Sequence, residues 1–169
     1  MVEGVGLTAL EVLGIAIKSE IQAASFYGRL VDRVGNSSLA AKLRFLQAEE
    51  EKHRAILEGE YKRRFPDIDL RLPSTSVVPL SDQVSSADLT VPELFRVAMK
   101  AEQTSAEFYA REAEQTRDDA GRTILRYLGK VERGHYQMLE TEYELVSRFP
   151  DYYNADDFHL GQELMHIGP

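Results

Sequence analysis

Hydrophobic and polar positions follow the period of an α-helix along four long stretches of the chain. These stretches are rich in Ala, Leu, Glu, Lys and Arg, which favour helix, and they contain almost no internal proline. The pattern predicts an all-α protein with helices at Thr8–Val34, Ser38–Phe65, Thr90–Thr116 and Asp119–Phe149.

Short turns separate the helices of each pair. The sequence GNSS at Gly35–Ser38 predicts a glycine stop and a serine N-cap, and TRDDAG at Thr116–Gly121 predicts a second turn of the same kind. Each pair therefore forms an antiparallel hairpin. Between the hairpins, residues 66–89 contain several prolines, serines and threonines, which predict an ordered but non-helical crossover. At roughly 3.3 Å per extended residue, this segment can run the full length of a four-helix bundle.

The two hairpins repeat each other at an offset of 82 residues. This offset places Glu20–Leu30 on Glu102–Glu112, and LRFL at Leu43–Leu46 on LRYL at Leu125–Leu128. A repeated helical hairpin predicts a bundle with a pseudo-two-fold axis. We expect one domain over residues 1–169, made of hairpins at about 8–65 and 90–149, the crossover at 66–89 and a C-terminal tail at 150–169.

Six polar side chains occupy the apolar stripes of these helices. Two copies of Glu-x-x-His, related by the offset, each place a carboxylate and an imidazole one turn apart on a helix face, so that both can reach one metal ion. Each of the other two helices contributes one inward glutamate. Burying an ionised carboxylate costs several kcal/mol, so four of them require neutralisation, which two divalent cations would supply. The predicted metal ligands are Glu20, Glu50, His53, Glu102, Glu132 and His135.

With these motifs the sequence resembles the ferritin-like diiron carboxylate superfamily, and within it the rubrerythrin-like proteins, over nearly the whole chain apart from its tail. The resemblance implies a ferritin-like four-helix bundle of two hairpins joined by a long crossover. It also implies two iron ions, with manganese or a mixed pair as alternatives. By position, Glu50 and Glu132 would bridge the ions, Glu20 and Glu102 would be terminal ligands, and each histidine would hold one ion.

Three further residues adjoin this set. Tyr27 and Tyr109 follow the two terminal glutamates by seven residues, nearly two turns, so each can donate a hydrogen bond to a terminal carboxylate unless it is an ordinary core tyrosine. Glu49 could orient the histidine of the opposite copy, whereas its repeat mate, Val131, cannot. The two metal positions would then differ.

The chain departs from the peroxidase rubrerythrins that it resembles at two points. Those proteins carry a further glutamate three residues after the third-helix ligand, where this chain has Ser105. They also commonly carry a Cys-rich rubredoxin module, whereas this chain has no cysteine. We therefore expect its electrons to come from an external donor protein.

Composition excludes several other classes of function. The net charge of −8, from 28 acids and 20 bases without a basic stripe, argues against nucleic-acid binding. The N-terminus carries Glu3 and Glu11 within an interrupted apolar pattern, so we expect neither a secretory signal nor a membrane span, and place the protein in the cytoplasm. Other acids are predicted on the solvated outer face, including Glu58, Glu60, Glu112 and Glu114.

With the ligand set, the resemblance implies a diiron oxidoreductase of the rubrerythrin type that reduces hydrogen peroxide or dioxygen. The alternatives are a ferritin-like protein that oxidises and stores iron, a dimanganese catalase and a metal-free helical interaction module. Storage requires a large hollow oligomer, and a homo-oligomer of some kind is expected. The tail, with His159 and His166, is expected to dock against the bundle or a second subunit rather than to form a third metal site.

Overall fold

Four α-helices make up the protein in this computed structural model, which describes residues 7–34, 36–74, 76 and 89–151, without the Arg33 side chain. The helices are α1 (Ala9–Arg33), α2 (Ser37–Arg64), α3 (Val91–Gln115) and α4 (Asp119–Arg148). No strand occurs among the described residues, so the predicted all-α fold is confirmed. None of the described helices is long and apolar enough to cross a membrane. Most of the crossover, and the tail from residue 152 onward with His159 and His166, lie outside the described residues.

The helix ends follow the capping signals of the sequence, with one correction. Helices α1 and α3 begin just after the predicted threonines, whose backbone amides donate to Glu11 and Glu93 at 2.8 and 2.7 Å. The predicted serine N-cap of α2 is wrong. Asn36, which caps as well as serine does, takes this position and accepts a hydrogen bond from the Leu39 amide at 2.9 Å. The glycine stop predicted at Gly35 lies outside the described residues.

Each hairpin is a closely packed helix pair, and the two hairpins meet less extensively. Helix α1 packs mainly on α2, and α3 on α4, whereas α1 meets α3, and α2 meets α4, at few places. Two hydrophobic clusters fill the bundle, one containing Phe26 and Leu43, the other Phe108 and Leu125. The 82-residue offset exchanges these residues between the clusters. The core therefore follows the repeat in the sequence.

The described first part of the crossover, residues 66–74, leaves α2 and contacts α1. Lys18 donates hydrogen bonds from Nζ to the carbonyl oxygens of Pro73 and Ser74 at 2.6 and 2.8 Å. The Tyr61 hydroxyl donates to the Asp69 carbonyl oxygen at 3.3 Å. Because the end of α1 and the start of α3 line one apolar cavity, α3 begins at the opposite end of the bundle from the end of α2. The two helix ends that the crossover joins thus lie at opposite ends of the bundle, as a ferritin-like topology requires.

Two acids that were predicted on the outer face are buried. Glu60 and Glu112 are only 6% and 4% exposed. Glu60 accepts hydrogen bonds from Arg63 and Arg64, both at 2.6 Å, and Glu112 accepts one from Arg111 at 2.9 Å. The prediction was wrong because neighbouring guanidinium groups neutralise these carboxylates, and a hydrophobic pattern does not reveal such pairing.

Replacing Lys18 with methionine keeps the aliphatic stem but removes both hydrogen bonds to the crossover. We expect the free energy of unfolding, measured by urea denaturation, to fall by about 1–3 kcal/mol, because two carbonyl oxygens lose a charged donor. Limited proteolysis within residues 66–74 should become faster. The matched control is Lys130→Met at an exposed position of α4, which should change stability by no more than about 0.5 kcal/mol. Equal proteolysis of the two variants would show that Lys18 does not anchor the crossover.

Candidate metal centre

Six polar side chains meet in the interior of the bundle, between the two hydrophobic clusters. Helices α1 and α3 contribute one glutamate each, and α2 and α4 each contribute a Glu-x-x-His pair. All six are buried, from 1% exposed for His53 to 5% for His135. They form two overlapping groups of four, and within each group the ligand atoms lie within 4.8 Å of one another. The structure thus brings together every predicted ligand: Glu20, Glu50, His53, Glu102, Glu132 and His135.

The ring of His53 faces three carboxylates with one nitrogen. Its Nδ1 atom lies 3.1 Å from Glu132 Oε1, 3.2 Å from Glu50 Oε2 and 3.5 Å from Glu20 Oε2. The three oxygens come from three different helices. A metal ion near this point would have one nitrogen and three oxygens within reach.

The ring of His135 has an equivalent environment. Its Nδ1 atom lies 3.1 Å from Glu132 Oε2, 3.2 Å from Glu50 Oε1 and 3.7 Å from Glu102 Oε2. Glu50 and Glu132 therefore each direct one oxygen toward each histidine. The two rings lie nearly parallel, with their centroids 5.6 Å apart. This is the arrangement that two ions bridged by two carboxylates need.

The unsatisfied atoms of the cluster fit a pair of metal ions. Glu50 Oε1 and Glu132 Oε1 are buried and have no hydrogen-bond partner. A single N–H on a histidine can satisfy one of the three carboxylates around it, whereas a cation can accept lone pairs from all of them. Two divalent cations would also balance the four negative charges, and two neutral imidazoles add nitrogen ligands without changing that balance.

In the absence of metal the buried cluster binds protons, and a cation that enters would have to displace them. Burial raises the pKa of Glu20 and of Glu102 well above the ordinary carboxyl range. Burial alone would lower the pKa of His53 and His135, but hydrogen bonds and charges from the surrounding carboxylates outweigh it and raise each to about 12. Burial likewise opposes ionisation of Glu132, yet bonds to both histidines lower its pKa to about 2. Without metal, the cluster therefore holds protons at neutral pH.

Two buried tyrosines reach the terminal glutamates crosswise. The Tyr27 hydroxyl donates to Glu102 Oε1, and the Tyr109 hydroxyl donates to Glu20 Oε1. Each tyrosine thus contacts the glutamate of the other hairpin, a pairing that sequence spacing alone did not specify. Burial raises the pKa of both hydroxyls well above the usual value, so both stay protonated donors.

Glu49 lies at the edge of the cluster. Its carboxylate accepts a hydrogen bond from Lys52 on the same helix. That bond lowers the pKa of Glu49, burial opposes the shift, and the charges of Lys52, His53 and His135 add to it. The predicted role of Glu49 in orienting His135 stays a prediction.

A small cavity adjoins the carboxylates on the side where α1 meets α3. Besides the glutamates, its walls include Ala23, Phe26, Ala101 and Ser105. Of these four residues the sequence had drawn attention only to Ser105, because the peroxidase rubrerythrins carry a glutamate at that position. The repeat could have indicated the cavity, because the 82-residue offset pairs Ala23 with Ser105, and both residues are small. Small residues at both positions leave room beside the glutamates.

Metal binding is expected to release protons, since ligands must be deprotonated. The raised pKa of His53 and His135 stabilises the metal-free fold most below the unfolded value of 6.5, and this stabilisation declines as the pH rises toward about 12. Acidification from pH 8 to pH 6 should therefore stabilise the metal-free fold through these groups while weakening metal binding. Thermal denaturation with manganese and with chelator should show a Tm difference that narrows on acidification. A difference that widens would contradict this charge assignment.

The chain is similar in sequence and in structure to proteins of a known family. The rubrerythrin family model matches residues 11–143. A solved structure, a hypothetical protein from Pyrococcus furiosus, is 36% identical, covers 84% of this chain and 92% of its own, and superposes with a TM-score of 0.76. No curated protein matches the chain. The matched residues include parts of all four helices and the whole buried Glu and His cluster. The chain therefore belongs to the rubrerythrin family of ferritin-like diiron proteins.

Proposed function

We propose that this protein is a dinuclear-metal oxidoreductase of the rubrerythrin type, which reduces hydrogen peroxide or dioxygen with electrons from a separate donor protein. The observation that carries the proposal is the ligand set around each histidine, which combines one terminal carboxylate with one oxygen from each of two shared carboxylates. Carboxylate and imidazole ligands suit iron and manganese. Iron is the proposed metal.

The bundle supports the proposal by holding the ligands rigidly. All six side chains project from the middle of helices rather than from loops, so packing on both hydrophobic clusters fixes their positions. In this assignment Glu50 and Glu132 would be shared by the two ions, Glu20 and Glu102 would each hold one ion, and each histidine would bind through the Nδ1 atom that faces the carboxylates. Two redox-active ions held there would supply the electron-transfer chemistry that the reaction needs.

The cavity between α1 and α3 supports a small oxidant as the substrate. It is narrow, and Ala23, Ala101 and Ser105 leave space only beside the carboxylates. Phe26 gives the cavity a buried apolar wall. Hydrogen peroxide and dioxygen are small enough for such a space.

The tyrosines supply protonated hydroxyls beside the reaction space. Reduction of hydrogen peroxide to two water molecules consumes two electrons and two protons. Tyr27 and Tyr109 retain their protons, because burial raises their pKa, and they hold the terminal carboxylates by hydrogen bonds. We assign them the task of keeping Glu102 and Glu20 oriented during turnover.

The electrons require an outside source in this proposal. The chain has no cysteine, so it cannot form a Cys-ligated iron site of its own. The cluster is also buried, so a reductant has to act through the protein surface. A separate electron-transfer protein that docks on the bundle meets both conditions.

The first test is the metal content of protein purified without added metal, followed by anaerobic Fe(II) titration. We expect about two irons per chain, and on addition of hydrogen peroxide we expect stoichiometric peroxide consumption together with an absorbance change of the oxidised metal. If the purified protein contained manganese instead of iron and disproportionated peroxide, the protein would be a catalase and the proposal would be wrong. Continued iron uptake into a large hollow assembly, seen by sedimentation, would replace it with iron storage.

Substitution of the shared glutamates tests the bridging assignment. Glu50→Ala or Glu132→Ala should lower the metal content from about two ions per chain to nearly none, because each removes a ligand from both ions. Glu51→Ala, at an exposed position one residue further along α2, is the matched control and should keep both ions. Circular dichroism establishes that each variant is folded. If either variant still bound two metal ions per chain, the glutamate replaced in it would not be a bridging ligand.

A further inference from the structure

The small cavity between α1 and α3 carries one hydroxyl group that the proposed metal centre does not use. Among the described residues that line it, the four glutamates are assigned to the metal ions, and the Tyr27 hydroxyl donates to Glu102. Ser105 is the remaining polar side chain of this lining, and the other walls are apolar. Ser105 therefore adjoins the space beside the metal ligands without being one of them.

The side chain of Ser105 has no hydrogen-bond partner among the described residues, although Ser105 is only 8% exposed. Serine and threonine inside a helix commonly donate to the carbonyl oxygen four residues earlier. Thr104, the preceding residue of α3, does so, with its hydroxyl oxygen 2.8 Å from the Lys100 carbonyl oxygen. Because a buried hydroxyl group without a partner costs free energy, the Ser105 hydroxyl favours a guest in the cavity that can bond to it.

The repeat indicates that packing does not require this hydroxyl group. The 82-residue offset places Ala23 of α1 at the position equivalent to Ser105, and both residues line the cavity. Each follows the terminal glutamate of its own helix, Glu20 or Glu102, by three residues, which is about one turn. An alanine therefore fits the same local environment, and the hydroxyl group is a feature of one side of the cavity.

A hydroxyl group in this place distinguishes the two oxidants of the proposed function. Serine can donate one hydrogen bond and accept others. Hydrogen peroxide has two O–H groups and several lone pairs, so it can donate to a serine hydroxyl and accept from it, whereas dioxygen has no O–H group and is a weak acceptor. A site built to hydrogen-bond its substrate discriminates against an analogue that lacks the bonding group.

We propose that Ser105 is a specificity-determining residue, which binds hydrogen peroxide in the cavity through its hydroxyl group and makes peroxide the preferred oxidant over dioxygen. The inference rests on the proposed function, because it takes the cavity as the substrate site. Reduction of one peroxide molecule consumes two electrons from the donor protein and two protons, breaks the O–O bond and releases two water molecules. The Ser105 hydroxyl holds the peroxide and is unchanged at the end.

Single-turnover oxidation of protein loaded anaerobically with two Fe(II) ions tests this role without a donor protein. Stopped-flow absorbance follows the reaction with hydrogen peroxide and, separately, with dioxygen. Ser105→Ala, which copies the residue of the other half, should react with low concentrations of peroxide about 3–10-fold more slowly, as expected for the loss of one hydrogen bond. Its limiting rate at saturating peroxide and its rate with dioxygen should match those of the wild-type protein.

The controls separate substrate binding from a general effect on the metal centre. Ser105→Thr keeps a hydroxyl group and should retain the preference for peroxide, and Ser38→Ala, at an exposed position of α2, should change neither reaction. Metal analysis and circular dichroism should show two ions and a folded bundle in each variant. If Ser105→Ala slows both oxidants equally, or slows neither, the inference fails and the proposed function stands. If the wild-type protein reacts with neither oxidant, the proposed function fails as well.

Crystallography of zinc-loaded protein gives a readout that does not depend on turnover. Zinc has no redox chemistry, so peroxide soaked into such crystals is not reduced. We expect a peroxide molecule in the cavity with one oxygen about 2.5–3.0 Å from Ser105 Oγ, and we expect it to be lost in crystals of Ser105→Ala. Peroxide bound away from Ser105, or equally well in both proteins, would overturn the inference.

Discussion

The structure depends on the burial of four carboxylates and two imidazoles in the middle of a helical bundle. Each ionised carboxylate costs several kcal/mol to remove from water, and a domain of this kind has a total stability of only about 5–15 kcal/mol. The negative charge of the carboxylates therefore needs compensation within the site. Protons on the histidines and on Glu20 and Glu102 provide it in the metal-free protein, since the pKa of each of these groups is raised. Two cations would provide it more completely, because they satisfy the oxygens of Glu50 and Glu132 that protons leave unpaired.

The repeated hairpin explains how one chain builds two equivalent groups of candidate metal ligands. Each helix pair carries one terminal glutamate, one shared glutamate and one histidine. Neither hairpin alone surrounds an ion, because each histidine faces the shared glutamates of both hairpins. Assembly of the hairpins and formation of the site are consequently one event. The crosswise bonds of Tyr27 and Tyr109 strengthen this dependence, since each joins one hairpin to a buried glutamate of the other.

Departures from the repeat occur where they do not disturb the shared ligands. Val131 replaces an acid one turn before His135, and Ser105 is paired with Ala23 at the cavity. At the ends of the bundle, buried acids have separate solutions. Glu60 is neutralised by arginines of its own helix, whereas its repeat mate, Glu142, pairs with Lys42 from α2. The two halves thus keep one core and one arrangement of buried Glu and His residues, while their surroundings diverge.

Periodicity and the repeat determined the four helices, their pairing and the identity of the six inward polar residues, because residues three or four apart share a helix face whatever the rest of the fold does. The capping residue of α2 was misjudged, since asparagine and serine cap equally well and only the backbone path chooses between them. Contacts between helices required the tertiary structure. The crosswise tyrosines, the orientation of Nδ1 toward the carboxylates, the buried Glu60 and Glu112 and the unpartnered Nε2 of His53 all depend on how the hairpins are placed against each other. Sequence spacing specifies distances along one helix, whereas these features depend on side-chain pairing and on the packing of neighbouring helices.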